Sequence, residues 1–382
     1  MPSKTKIGTS FWPFFMTSFP FPFAILFATL TFCALFFLLG CGIVNKDRRQ
    51  EEPSVWEVIM RIRYMTLGLL LLTLCIFHSG CSSAQEYTAY YFDYFDTFST
   101  LTVYAESEEE FETYRQIVDE VFQEYHRLCN AYEPFDSVVN LYTLNQSAGQ
   151  GPVAVEEPLY EFLEYCVEAY ESSLGTVNIA LGSVLQLWQE QMNADDPVVP
   201  SEEALTQAAQ HTDISQMILD PDSQTVELLD PEMSLDAGAL AKGYATAIAQ
   251  EQLIEAGCES ALLNAGGNIV CIGTYPGLNG WNVGILNPDT SSETSLYTTW
   301  LVRDACVVTS GDYERYFEVD GVRYHHIIDP DTLYPANRYH SVSIQCTDAA
   351  AADMLSTALF ILPRGEGEAL AAQYHAQVLY ID

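Results

Sequence analysis

The chain has 382 residues and a formal net charge of −37, and beyond Cys81 eight Lys and Arg residues face 48 Asp and Glu. A surface of that sign repels phosphate backbones and anionic lipid headgroups, which argues against nucleic-acid binding and against a polybasic membrane contact. Any anionic ligand then needs a local source of positive charge: a bound cation, a lone lysine, or the free amides of a helix N-terminus.

Two apolar stretches open the chain, residues 11–40 and 65–77, separated by a charged run over 45–63. The first is long enough to span a bilayer and ends Leu38-Leu39-Gly40-Cys41. The second follows Arg61 and Arg63, is short for a span, and ends His78-Ser79-Gly80-Cys81, the pattern of a signal-peptide core with a lipoprotein cleavage site. A translation start near Met60 makes residues 60–80 the signal peptide and Cys81 the lipidated N-terminus. Residues 1–59 are then untranslated or a separate membrane anchor, and Cys41 stands as the alternative lipid site. Either version delivers the body, 81–382, to the outer face of a bacterial cell membrane. The ten cysteines include no CxxC pair and no histidine at zinc-ligand spacing. A zinc site is therefore not expected, and the six cysteines beyond Cys81 read as buried thiols with a disulfide left open.

In the body, alternation over 90–104, broken at Asp96-Thr97, predicts a strand pair. Apolar positions at helical spacing predict a helix over 107–130, a second over 156–173 and a third over 180–192 carrying Trp188. An Asp- and Pro-rich loop over 193–201 leads to a helix at 202–210 and a strand pair at 215–229 turning at Asp220-Pro221-Asp222. A long helix over 239–256 stops at Gly257. Strands follow over 260–272, 281–287, 298–309, 313–319 and 322–328, then a helix over 348–361. The order is that of an α+β fold, with mixed, largely antiparallel sheets packed with helices, and not of a doubly wound sheet.

Four constellations carry chemistry. Leu235-Asp236-Ala237-Gly238-Ala239-Leu240-Ala241-Lys242-Gly243-Tyr244 turns a strand end into a helix, where glycines admit a ligand and Lys242 with free amides offers charge to a phosphate. Close helix packing explains the same small residues equally well. Asn264-Ala265-Gly266-Gly267-Asn268 marks a tight turn between strands, under a ligand or purely structural. Thr309-Ser310-Gly311-Asp312-Tyr313-Glu314-Arg315-Tyr316 is followed by Tyr324-His325-His326-Ile327-Ile328-Asp329-Pro330. Neighbours in a strand point to opposite faces, so at most one of the two histidines faces a given site. His326 suits a general base, with a core-facing imidazole as the alternative. In Ala352-Asp353-Met354-Leu355-Ser356-Thr357-Ala358, Asp353 and Thr357 are i and i+4 on one helix face and offer two hard oxygens, suited to Mg²⁺.

Together and in this order, these segments resemble the ApbE family of FAD:protein FMN transferases, whose motifs are similar to D-x-G-x-x-A-K-G-Y, N-x-G-G, T-S-G-x-Y, H-x-I-D-P and A-D-x-x-S-T-A. The likeness runs from Phe95 to the C-terminus. It implies the family's fold and an extracytoplasmic enzyme that cleaves the FAD pyrophosphate, esterifies a Ser or Thr of a target flavoprotein with FMN, and releases AMP. It implies as targets a redox-driven ion pump subunit or an extracellular electron-transfer flavoprotein. By resemblance, Asp353 and Thr357 are side-chain ligands of Mg²⁺, Ala239 supplies a backbone oxygen, and Ser356 occupies a further metal-site position. Asp236, Lys242 and Ile328 match FAD-contacting positions. Phe95, Tyr132 and Thr176-Val177-Asn178 match the flavin side, and His326 the base.

The chain departs from the pattern twice: Val177-Asn178 stands where the family usually has Phe-Asp, and Leu333 replaces a Gly after Asp329-Pro330-Asp331-Thr332. A Gly there permits positive φ. Two other functions use the same site: a magnesium-dependent FAD pyrophosphatase yielding FMN and AMP, and a non-catalytic FAD-binding lipoprotein.

Overall fold

Strand-forming alternation and two Ala-rich helices determine the architecture. The computed structural model describes residues 84–382 except 290 and 293, together with eight positions between 55 and 66. Apart from those eight positions, the expected extension over 1–59 and the expected signal peptide over 60–80 lie outside the described residues, as do Cys41 and Cys81, the expected lipid sites. Among the described residues no helix is long and apolar enough to cross a membrane. The chain divides into two units, Met1–Cys81 and Ser82–Asp382.

The second unit is built on a seven-stranded sheet. Its strands are β1 (Gln85–Tyr91), β2 (Ser99–Ala105), β6 (Ala261–Ala265), β7 (Asn268–Ile272), β10 (Ala305–Gly311), β13 (Ser341–Cys346) and β14 (Gln377–Ile381), in the order β1-β2-β6-β7-β10-β13-β14. Every neighbouring pair is antiparallel. Three smaller sheets surround it: β3 (Val153–Ala154) with β5 (Thr225–Leu228) and β4 (Met217–Asp220), the hairpin β8 (Trp281–Leu286) with β9 (Leu296–Val302), and the hairpin β11 (Tyr316–Val319) with β12 (Val322–His325).

Alternate strand residues point to opposite faces, and here both faces are covered. On one, Leu101, Val103, Leu263, Val270, Val308, Val342 and Ile344 pack into the main core with helices α1 (Glu108–Leu128), α3 (Glu157–Ser172), α6 (Ala241–Glu255) and α7 (Ala349–Ile361). On the other, Cys271 and Val307 meet Trp281, Val283 and Ile285 of β8. A third cluster joins α4 (Gly182–Met192) and α5 (Glu202–Ala208) to the β11–β12 hairpin through Val184, Trp188, Leu205, Phe317 and Ile328. The remaining helices are α2 (Leu141–Gln146) and α8 (Arg364–Gln373).

Helix α7, AAAADMLSTALFI, is buried on nearly every side. It lies on β10 and β13 and against α6. Small residues let its backbone approach these neighbours closely, and a helix apolar all round belongs inside a core.

The α+β reading holds, and most elements form within two or three residues of the predicted bounds. The single strand expected over 298–309 is two strands, because Arg303 and Asp304, the latter at φ 46°, turn the chain from β9 into β10. The strand expected over 322–328 ends at His325, so His326 sits just beyond it. Apolar spacing alone gives no expectation for α2, β13, α8 or β14.

Gly266 and Gly267 form the two-residue loop of the β6–β7 hairpin, between the paired Ala265 and Asn268, with φ of 56° and 96°. Positive φ at both positions is the type I′ geometry favoured between twisted strands. A Cβ on Gly266 would stand 2.3 Å from Thr97 Oγ1, whereas one on Gly267 meets nothing within 4 Å. Both Gly→Ala changes should therefore incur the left-handed penalty of about 1 kcal/mol. Gly266→Ala should lose clearly more in urea unfolding, and Thr97→Ala should recover that excess. Equal losses for the two glycines would remove Thr97 as the cause.

Candidate active site

The segment 235–240 bends the chain into α6. Asp236 Oδ1 accepts the Gly238 amide at 2.8 Å, and the amides of Leu240 and Ala241 both reach Ala237 O at 2.9 Å. In a regular helix the Gly243 amide would bond Ala239 O, four residues back. It donates instead to Asp353 Oδ2 at 2.7 Å, and Ala239 O is left without a hydrogen bond among the described residues.

Gly243 is what allows this. A Cβ there would lie 2.3 Å from the Asp353 Cβ and 2.9 Å from Ala349 O, so only glycine lets α6 and α7 come this close. The Asp353 carboxylate thus sits at the positive end of α6 with an amide aimed at it. Burial pushes its pKa up, opposed by the Lys242 charge, the Gly243 amide and the Asn268 side chain. Asn268 is itself buried, and its Nδ2 makes no hydrogen bond of good geometry among the described residues. A buried carboxylate beside a buried amide donor without a well-formed hydrogen bond makes an underused polar spot in the core.

Two further hydroxyls of α7 flank it. Ser356 Oγ donates to Asp353 O at 2.9 Å and lies 2.8 Å from Ser310 Oγ, which ties α7 to the end of β10. Thr357, one turn past Asp353, makes no side-chain hydrogen bond among the described residues. No three His, Cys, Asp or Glu side chains converge as a metal cluster among the described residues. A cation would have to use one carboxylate and neutral oxygens. Asp353, Thr357, Ser356 and the released Ala239 carbonyl form such a hard-oxygen set, which fits Mg²⁺ better than zinc.

The two histidines separate, His325 at the end of β12 and His326 just beyond it. His325 is buried, with Nε2 on Ala336 O at 2.6 Å, Nδ1 accepting the Ile327 amide at 3.2 Å, and its ring edge-on to Phe360. It is the core-facing one. His326 is half-buried, and Arg315 O receives both its backbone amide at 3.1 Å and its Nδ1 at 3.3 Å. A proton on Nδ1 leaves Nε2 free to accept one. Burial, then the charges of Arg315, His325 and Lys242, push the His326 pKa down to about 3. Lys242 therefore lies within electrostatic reach of both His326 and Asp353. Its Nζ is 3.4 Å from Gly238 O.

On the neighbouring side, Tyr132 OH bonds both Asp236 Oδ2 and Gln189 Oε1, and burial with the Asp236 charge raises its pKa. Ile328 is buried beneath the β11–β12 hairpin. Asp236 N bonds Ile179 O at 2.7 Å, which anchors the 176–179 segment to the same corner. Within that segment Thr176 Oγ1 donates to Ser173 O, Val177 is buried in the main core, and Asn178 divides its amide between Thr212 O and the Ala180 amide. An Asp at 178 could accept from Ala180 but could not donate to Thr212 O. Phe95, at φ 56°, packs its ring against Phe122 and His126, and its amide reaches His126 Nδ1 at 3.1 Å.

The structure thus gathers Asp353, Ser356, Thr357, Ala239 and Lys242 around one helix junction, and places Asp236 with Tyr132 beside them. Phe95 belongs to a separate aromatic cluster. Gly243, Asn268, Ser310 and Arg315 lie inside the motifs yet carry no assigned role there, because their contributions are a missing side chain, a buried amide, a hydroxyl bridge and a backbone carbonyl. Gln189 has no signal in the sequence.

The model of the ApbE family matches residues 95–381. A Treponema pallidum protein named FAD:protein FMN transferase is 40% identical over 249 residues, 61% of this chain and 68% of that one. A Klebsiella pneumoniae protein of the same name is 34% identical over 231 residues, 60% and 70% of the two chains. The crystal structure of the ApbE protein from Thermotoga maritima superposes with a TM-score of 0.69 at 29% identity, covering 78% of this chain and 94% of that one.

Substitution should separate the two imidazoles. His325→Ala removes a buried, doubly bonded ring and should cost about 2–4 kcal/mol in urea unfolding, whereas His326→Ala should stay within about 1 kcal/mol. The folded His326 pKa lies below its unfolded value, so the unfolded chain takes up a proton that the folded chain refuses. The stability this residue contributes is full above about pH 6.5 and is lost as pH falls toward about 3. His326→Gln should therefore flatten the acid side of the stability profile relative to the parent chain. An unchanged acid limb would show that the imidazole is not held neutral.

Proposed function

Because the chain belongs to the ApbE family, we read it as an FAD:protein FMN transferase and propose that it moves FMN from FAD to a Ser or Thr hydroxyl of a target flavoprotein, releasing AMP with Mg²⁺ bound at Asp353. The observation that supports this most directly is the Gly243 amide drawn from Ala239 O to Asp353. It frees a carbonyl beside a buried carboxylate and beside the sole lysine beyond Cys81.

Lys242 and the first amides of α6 attract the pyrophosphate of FAD, which the rest of this acidic surface repels. Mg²⁺, when bound by Asp353, Thr357, Ser356 and Ala239 O, supplies positive charge where the transferring phosphoryl group gains negative charge. On this reading Asp236, Tyr132 and Ile328 are the residues that contact FAD. His326, held by Arg315 O, directs Nε2 toward the incoming hydroxyl and takes its proton. The hydroxyl oxygen bonds the FMN phosphorus as the phosphorus–oxygen bond to AMP breaks, in line. A histidine of pKa about 3 is unprotonated at neutral pH, and negative charge arriving beside Lys242 and Arg315 raises its basicity for the transfer.

We also propose that a lipid on Cys81 holds the enzyme on the outer face of the cell membrane, where ion-pump subunits and electron-transfer flavoproteins offer acceptors. The apolar run 65–77 before Cys81 supports this, and a diacylglycerol-modified Cys81 at the N-terminus of the mature protein is the mass-spectrometric result to look for. An unmodified mature N-terminus would overturn the anchor.

Incubation of the chain with FAD, Mg²⁺ and an acceptor flavoprotein should yield an adduct of FMN mass on a hydroxyl residue, with AMP released. FMN and AMP without adduct would instead support hydrolysis, and intact FAD would sink both enzymatic readings. Asp353→Asn should lower turnover at least about 100-fold. His326→Ala should lose about 100- to 10,000-fold in turnover with FAD affinity retained. Full activity of the His326 variant would remove it as the base.

A further inference from the structure

Two of the buried thiols face each other across the central sheet. Cys306 of β10 is the direct antiparallel partner of Cys346 of β13, and their Sγ atoms lie 3.9 Å apart. This is the only pair of cysteines opposed in a strand register among the described residues. Cys306 Sγ donates to Cys346 O at 2.9 Å, and Cys346 Sγ to Asp348 O at 3.1 Å. Residues directly opposite in an antiparallel pair have Cα atoms about 4.5–5.5 Å apart, inside the range of about 4.4–6.8 Å that a disulfide spans. Rotation about the side-chain bonds, with a small approach of the two Cβ atoms, brings the sulfurs together and leaves the strands in register.

We propose that Cys306 and Cys346 form a disulfide when the chain folds in the presence of a disulfide oxidant. Two S–H bonds break and one S–S bond forms, and the two electrons and two protons pass to the oxidant, a small-molecule or protein disulfide that leaves as two thiols. Both cysteines are buried once α7 lies on β10 and β13, so oxidation belongs to folding, before that helix docks.

The position gives the bond a specific consequence. The loop it closes contains Ser310, Arg315, His326 and Leu333, and α7 begins at Ala349, three residues after Cys346. One crosslink would hold both ends of the segment that carries His326 and fix the start of the helix that carries Asp353. Closing a loop of this length removes much of the unfolded chain's freedom. This inference stands on the sheet register and does not rest on the flavin-transfer reading.

The test is to refold the full chain with oxidised and reduced glutathione, block free thiols by alkylation without reduction, and map the peptides by mass spectrometry. The expected result is a Cys306–Cys346-linked peptide lighter than the two free peptides by two hydrogen atoms. The oxidised chain should also melt roughly 5 °C above the reduced one, and Cys306→Ala/Cys346→Ala should abolish that difference. Alkyl label on both cysteines of the refolded, oxidised chain would overturn the proposal, as would either sulfur linked to a different cysteine. The peptide map of the unsubstituted chain decides the matter even if the double variant fails to fold.

Discussion

The hydrogen bond from the Gly243 amide to Asp353 is the constraint on which the rest of the site depends. It forms only because neither helix carries bulk at the crossing. Gly243 has no side chain to hold α7 away, and α7 answers with a run of alanines. Close approach alone would leave a buried carboxylate with no compensation, which is unfavourable by several kcal/mol. The amide, the Lys242 charge and the positive end of α6 provide the compensation. Diverting that amide also strips Ala239 O of its helical partner. One substitution-sensitive contact therefore both holds the carboxylate and frees a carbonyl at the start of α6.

The acidity of the chain makes positive charge at this junction scarce and local. With eight basic residues against 48 acidic ones beyond Cys81, an anion has few places to bind. Lys242 is the only lysine in that span, and it stands on the first turn of α6, where helix amides reinforce it. Arg315 offers its charge from the edge of the β11–β12 hairpin while its carbonyl orients His326. The positive potential is thus local, and it is produced by two elements that are far apart in sequence and brought together by the sheet.

Most of the fold was legible because its elements show clear periodicity. The helix over 108–128 carries an apolar stripe at helical spacing opposite a charged face, and the strands of the main sheet either alternate or run continuously apolar between turn residues. The failures have physical causes. β9 and β10 read as one strand because Arg303-Asp304 is a turn without glycine or proline. β14 is short and only partly buried, so its pattern is weak. At the site, the side chains that carry charge were identifiable from their motifs. What could not be read was the geometry: that His325 is locked by Ala336 O while His326 hangs from Arg315 O, and that Asn268 Nδ2 is buried beside Asp353 without a well-formed hydrogen bond among the described residues.

The two departures from the family pattern have different structural meanings. Leu333 sits at φ 64°, so the left-handed turn that a glycine would favour is kept despite its replacement. A non-glycine residue there costs on the order of 1 kcal/mol, and the surroundings offset it. The Leu333 amide bonds Asp329 O at 2.8 Å, its carbonyl accepts the buried Trp188 Nε1 at 3.0 Å, and its side chain joins the Trp188 cluster. The loop that follows His326 is thereby pinned to α4 rather than loosened. Asn178 is the opposite case. Its amide uses both ends on the protein, one of them in a way no carboxylate could copy. The segment remains anchored to Asp236 through Ile179 O, so the change alters the chemistry this corner offers and not the scaffold that holds it. The Asp353 junction, by contrast, depends on backbone approach at Gly243, and neither departure touches that contact.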